Sequence, residues 1–271
     1  MTTTTCTVAM TGMDPIPVSV TSYGSGRPFL LLHGGAGPQS MTDFGERLAS
    51  QGVQVLVPVH PGFGGTPRPD TFSSIQDLAG LYAQLIEQLD LEDVTVVGNS
   101  IGGWITAELA LLRSARVSAI VLIDAVGIEV PGHPVADFFG LTMDEVFRLS
   151  FHDPEPFRID PSALPPAAQA VMAGNRAALT AYAGKTMSDP GLAARLATLE
   201  LPVLVLWGDS DQIADPAYGL AYAAAIPEAR YQLLADTGHM PQQETPDKVL
   251  RAISDTGLTA RSSAATPGAG A

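Results

Sequence analysis

With a single cysteine, Cys6, the 271-residue chain has no disulfide framework and no cysteine cage for a metal. Basic residues are also scarce. Fourteen Lys and Arg face 28 Asp and Glu, a formal net charge of −14 with His neutral. Nucleic acids and anionic membranes need Lys or Arg to neutralise phosphate, so neither is expected as a partner. There is no apolar run of about 18 residues, which argues against a membrane-spanning helix. The opening Met1–Cys6 carries no basic residue and leads into no apolar stretch of signal-peptide length, so a soluble, cytoplasmic protein is expected. What the chain does have is apolar bulk. Hydrophobic residues make up 46 %, enough for a buried core and too many for wholesale disorder.

Short apolar runs alternate with longer helical patterns. Residues 29–32, 53–59, 94–97, 119–123 and 203–207 are such runs, and each ends in glycine, an Asp or a Gly/Pro cluster. Runs without polar alternation suit strands buried on both faces of a parallel sheet. Between them, Ile75, Leu78, Tyr82, Leu85 and Leu89 share one helical face, as do Ile101, Ile105, Leu109 and Leu112. The pattern predicts an α/β fold, a mostly parallel central sheet with helices on both faces. From 128 to 199 no strand-like run occurs. Thr142 to Glu145 has capping-box spacing, 167–183 favours helix, and prolines mark the joints. We read 1–17 as a flexible leader and 18–127 with 200–255 as the core. A helical cap insertion takes up 128–199, placed to act as a lid, and 256–271 form a disordered tail.

The most informative stretch is Gly98-Asn99-Ser100-Ile101-Gly102-Gly103, which follows a strand and opens a helix. That is the context of a G-x-S-x-G nucleophile elbow, where small residues permit a tight turn and the serine is pushed to its tip. A serine hydroxyl needs a base, and the base an orienting acid. His239, after the strand-like 231–234, falls on the same sheet edge as the elbow and is the candidate base. His33 and His60 lie in Gly-rich loops and are read as holding them, while His133 and His152 fall in the insertion. Asp211, in Gly208-Asp209-Ser210-Asp211, is the candidate acid, with Asp209 and Asp124 as rivals; the order Ser, Asp, His is the one that accompanies this elbow. The amides of Gly35, in His33-Gly34-Gly35-Ala36-Gly37, and of Ile101 are candidates for an oxyanion hole. The glycines complete neither phosphate-loop motif.

Together, His33-Gly34-Gly35, the elbow, Gly208–Asp211 and Gly238-His239 resemble the α/β-hydrolase superfamily, over roughly Val18 to Asp255. Asn99 and the Gly-rich loop at 33–38 are similar to the branch that hydrolyses carbon–carbon bonds of ring-cleavage products. Two positions depart from these patterns: Met240 follows His239 where that branch has Trp, and His60 stands where many members have Asp. The resemblance implies a serine hydrolase with an inserted cap and no metal or organic cofactor; the apolar, charge-poor cap favours a small, largely hydrophobic carbonyl compound, and Met240 puts an ester-type substrate first. Carbon–carbon cleavage is the alternative, followed by a cofactor-free haloperoxidase-like activity or ligand binding without turnover. Asn99, Phe138, Phe139, Arg176 and Met240 are candidate substrate contacts, with Met143, Phe147 and Met172 also candidates in the cap. Each of the apolar cap side chains can equally be ordinary core, and Arg176 a solvated surface side chain.

Overall fold

In the computed structural model, which describes residues 1–259, the chain first makes β1 (Thr2–Val8), β2 (Ile16–Gly24), β3 (Pro28–Leu32), α1 (Thr42–Ala49) and β4 (Gln54–Pro58). It continues through α2 (Ile75–Gln88), β5 (Val94–Asn99), α3 (Ile101–Leu111) and β6 (Val117–Ile123). A helical excursion follows, through α4 (Met143–Ser150), α5 (Pro166–Ala183) and α6 (Leu192–Leu196). The chain then returns to the sheet as β7 (Val203–Gly208), α7 (Pro216–Ala224) and β8 (Arg230–Leu234), and closes on α8 (Pro241–Glu244) and α9 (Pro246–Ser254).

All eight strands lie in one sheet, in the order β1-β2-β4-β3-β5-β6-β7-β8. β2 runs antiparallel to β1 and to β4, and every other pair is parallel. The parallel strands are apolar throughout because both of their faces are covered. Leu30, Leu32, Val96, Ile120 and Val205 pack toward α2, α3 and α7, while Phe29, Leu31, Val97, Val121 and Leu206 pack toward α1 and α9. Each such side chain, fully removed from water, contributes about 1.5–3 kcal/mol.

Two details differ from the sequence reading, and a third lies mostly beyond the described residues. The segment 1–17 is not a loose leader: β1 pairs along its length with β2. β-branched threonines favour that strand, and β2 shows alternating burial at Ile16, Val18 and Val20. α3 is buried all round rather than on one stripe, because it is covered by the sheet, α2 and α6, and Leu112, assigned to its apolar face, is an exposed cap. The tail read over 256–271 lies outside the described residues from 260 onward. The excursion between β6 and β7 starts at a capping box, in which Thr142 and Glu145 each accept from the other's backbone N–H.

The strand order reverses beside β3, which has β4 on one side and β5 on the other. The loops leaving β3 and β5 therefore diverge, and the crevice between them is where α/β sheets hold ligands. Register places Leu32 beside Gly98, Asn99 beside Ile123, Ile123 beside Leu206, and Gly208 beside Leu234. The segments following β3, β5, β6, β7 and β8 thus emerge along a single edge.

Candidate active site

Ser100 sits between β5 and α3 with φ 57° and ψ −121°, a left-handed conformation that a residue with a Cβ enters only at a cost. The turn is held by its surroundings: Ser100 N–H donates to the Ile123 carbonyl, and the Ser100 carbonyl accepts from Gly103 N–H. The side chain is at the head of α3, where the first N–H groups have no acceptor within the helix. The loop after β3 passes directly against the elbow, since a Cβ on Gly34 would lie 3.0 Å from the Ser100 Cβ. Gly35 of that loop lies beneath Leu179 of α5.

His239 and Asp211 meet. The imidazole Nδ1 lies 2.8 Å from Asp211 Oδ2, and both residues are buried. The other Asp211 oxygen accepts from the N–H groups of Ile213 (2.7 Å) and Ala214 (3.1 Å), so the carboxylate is fixed in rotation. Asp209 is committed elsewhere. Its Oδ1 accepts from Ser210 Oγ and Thr237 N–H, which ties the β7 turn to the loop after β8. Asp124 ends β6 close by: one oxygen of Asp124, one of Asp211 and a ring nitrogen of His239 all lie within 4.8 Å of one another. These groups could be taken for metal ligands, but the Asp211 oxygens and His239 Nδ1 are already spent on hydrogen bonds.

Other candidates are placed differently. Asn99 does not face the crevice. It is fully buried, donates to the His239 carbonyl at 2.9 Å and to the Ile123 carbonyl, and accepts from Gln242. Asn99 therefore anchors the histidine loop instead of contacting substrate. Arg176 is also committed. Its guanidinium donates to the carbonyls of Phe138 (3.2 Å) and Phe139 (2.6 Å) and lies over both rings, which fixes the segment entering α4. Met240 is buried beside Gln242. Of the remaining histidines, His133 pairs with Asp215 at 2.7 Å and His152 with Ser210 at 2.8 Å.

Two residues that matter to the site carry no signal in the sequence. Glu244 accepts from Gly238 N–H at 2.6 Å and from Asp153 N–H at 2.9 Å. The His239 N–H in turn donates to the Ser150 carbonyl at 2.7 Å, so the end of α4 supports the same loop. Nothing in the spacing of Glu244 or Ser150 marks these roles, since both depend on distant backbone.

His33 and His60 stack with ring centroids 3.7 Å apart in the floor of the loop after β3. The tautomers follow from the partners. His33 Nδ1 donates to the Gly34 carbonyl, so its Nε2 accepts from His60 N–H. His60 Nε2 donates to the His33 carbonyl, so its Nδ1 accepts from the Tyr82 hydroxyl. Every ring nitrogen is used in the neutral form, and a second proton on either ring would set donor against donor. Burial pushes His33 down to about 4, and burial together with the His33 ring pushes His60 well below its ordinary value. A histidine depressed in the fold contributes stability that is complete above about pH 6.5 and is lost as the pH falls toward the folded-state value. His33 alone is expected to account for about 2 kcal/mol of lost stability between pH 7 and pH 5. Urea unfolding of wild type and His33→Gln at the two pH values checks this: the variant should lack that share of the pH dependence, and an unchanged dependence would mean that the His33 ring is not held neutral.

The sequence profile of the alpha/beta hydrolase family matches residues 29–252. Lipase 3 of Moraxella sp. is 28 % identical over 236 residues, covering 81 % of this chain and 74 % of that protein. A 2-hydroxy-6-oxononadienedioate/2-hydroxy-6-oxononatrienedioate hydrolase of Cupriavidus pinatubonensis is 26 % identical over 245 residues, 83 % of this chain and 85 % of that one. Among solved structures, a thermophilic esterase from Thermogutta terrifontis superposes with a TM-score of 0.76 at 23 % identity, over 97 % of this chain and all of the other.

Proposed function

The chain belongs to the alpha/beta hydrolase family, and we propose that within it this protein is a serine hydrolase cleaving small, largely hydrophobic carboxylic esters through an acyl-enzyme on Ser100. The observation that carries this reading is the strained elbow, which holds Ser100 at the head of α3 on the sheet edge that also carries the His239–Asp211 pair. His239 takes the Ser100 proton as the hydroxyl attacks the carbonyl carbon. Asp211, bonded to Nδ1, holds the tautomer that leaves Nε2 free as base and stabilises the imidazolium that forms. The negative charge on the carbonyl oxygen is received by the amides of Ile101 and Gly35, each such donor supplying a few kcal/mol in a site of low dielectric. His239 returns its proton to the leaving alcohol, and a water attacks the acyl-enzyme by the same route. No step calls for a metal or an organic cofactor.

The residues between β6 and β7 serve as the cap. Leu179 roofs the oxyanion loop, Ala178 lies at Gly62, and the Tyr182 hydroxyl donates to the Pro61 carbonyl at 3.0 Å, so α5 presents an apolar surface to an entering acyl group. A fluorophosphonate probe is expected to label Ser100 and no other serine, and labelling elsewhere would overturn the assignment.

Carbon–carbon cleavage of a ring-cleavage product is the second reading, favoured by the Cupriavidus relative. Both reactions pass through an oxyanion beside Ser100, so the catalytic groups do not separate them. Steady-state kcat/KM on a short-chain p-nitrophenyl ester and on a 2-hydroxy-6-oxo-dienoate does. The ester is expected to be the better substrate. A dienoate preference above about a hundredfold, roughly 2.7 kcal/mol of differential transition-state binding, would reverse the order.

A further inference from the structure

Asp124 is a buried acid to which this chemistry gives no task. It ends β6 with φ 43°, in the left-handed region, and its backbone N–H donates to the Leu206 carbonyl at 3.0 Å. Its Oδ1 accepts from Gly208 N–H at 2.9 Å, so the side chain is held against the turn that leads to Asp211. Its Oδ2 is fully buried and, among the described residues, receives no hydrogen bond. A buried carboxylate oxygen without a donor is costly, and a second carboxylate beside it makes the cost larger.

The two acids are not equivalent. Asp211 accepts from two backbone N–H groups and from His239 Nδ1, three donors that all favour its charged form. Asp124 accepts from one. Where two carboxylates share a dry site, the proton goes to the one with fewer donors. Resting on the catalytic reading above, we infer that Asp124 is a positioning residue: a carboxylic acid that keeps its proton on Oδ2 and donates it in a hydrogen bond to Asp211, so that the pair holds one negative charge beside His239. Burial, and then repulsion from Asp211, raises the Asp124 carboxyl well above the usual carboxylate range. The titratable groups facing it are Asp211, His239, Glu244 of α8 and Tyr231 of β8. The bond gives the orphaned Oδ2 a role, adds a fourth restraint on the Asp211 rotamer and draws charge from the oxygen that faces imidazole. It thereby sets how basic His239 is.

Asp124→Asn keeps both an acceptor for Gly208 and a donor for Asp211, whereas Asp124→Leu keeps neither. In the leucine variant Asp211 bears a less shared charge, His239 becomes more basic, and the acidic limb of kcat/KM moves upward by about one pH unit with a loss in kcat of about tenfold. Asparagine is expected to restore most of that kcat and to return the limb toward the wild-type position. An Asp124 that was ionised in the wild type would give the opposite sign. Asparagine would then remove a negative charge near His239, and the limb would fall by about a unit, overturning the inference. A role confined to packing would leave both limbs in place, with the same result. The infrared difference spectrum of the resting enzyme at neutral pH reads the proton directly: a protonated carboxyl C=O stretch is expected, lost in Asp124→Asn, and its absence in wild type overturns the inference. That reading is separate from turnover. Ser100→Ala that retained activity would overturn the catalytic reading while the band left the protonated pair standing, and a missing band with Ser100 still labelled would do the reverse.

Discussion

Ser100→Ala is expected to lower kcat on a p-nitrophenyl ester by roughly a millionfold, about 8 kcal/mol of transition-state stabilisation, while the protein stays folded. The size follows from the way the groups act as a unit. Without the hydroxyl, His239 has no proton to take, and the bond between Asp211 and its Nδ1 orients a base with nothing to activate. What remains is whatever the N–H groups of the loop after β3 and the head of α3 confer on attack by water, which leaves a residual rate above the uncatalysed reaction. The fold should tolerate the change because the side chain makes no hydrogen bond on which an element end depends, and the φ of 57° is strained for serine and alanine alike. Ser100→Gly removes that strain. It is expected to be at least as stable as wild type and just as inactive, which separates the cost of the elbow from its chemistry. Single-turnover kinetics with thermal unfolding of all three proteins checks both statements. A Ser100→Ala variant retaining more than about one part in a hundred of kcat would assign the nucleophile elsewhere.

The central strands were legible because burial on both faces writes itself into a sequence as an uninterrupted apolar run, as in residues 94–97 and 203–207. The elbow was legible because its turn geometry restricts residue size at fixed offsets around Ser100. β1 was not, since its threonines are exposed and nothing local says that β2 lies beside them. Within the site, the limit was long-range hydrogen bonding. Asn99 could be placed next to Ser100, yet its amide reaches the His239 carbonyl 140 residues away, and that turned an expected substrate contact into an anchor. Arg176 met the same limit: the sequence offered it as a substrate contact or a solvated surface side chain, and the partners it found are the carbonyls of Phe138 and Phe139. Asp124 was weighed only as a rival acid. That it is left with an unpaired buried oxygen beside Asp211 is a property of three strand ends together, which no one segment records.

Gly102→Ala is expected to cost more than about 4 kcal/mol or to prevent folding, a penalty found only where a backbone position has no room to yield. A Cβ at Gly102 would lie 2.1 Å from the Leu32 carbonyl oxygen and 2.7 Å from that of His33. Neither atom can retreat. Leu32 is the last residue of β3, registered against Gly98 of β5, and the His33 carbonyl is held by His60 Nε2. The alanine would therefore have to push α3 away from the sheet. Gly98, where a Cβ would sit 2.1 Å from the Gly102 carbonyl oxygen, closes the same contact from the other side. Gly174 in the middle of α5 provides the contrast, because the nearest atom to a Cβ there is 4.0 Å away. The same substitution at Gly174 should stabilise the protein by about 0.5–1 kcal/mol through helix propensity alone. Urea unfolding of both variants checks the pair of signs, and a Gly102→Ala protein within about 1 kcal/mol of wild type would contradict the geometry. The functional consequence comes from the same contact. On the proposed mechanism, the close approach of α3 to β3 is what lets the amides of Ile101 and Gly35 serve one oxyanion. A partly folded Gly102→Ala protein should accordingly lose kcat by more than its folded fraction explains, because the two proposed oxyanion donors would be moved apart.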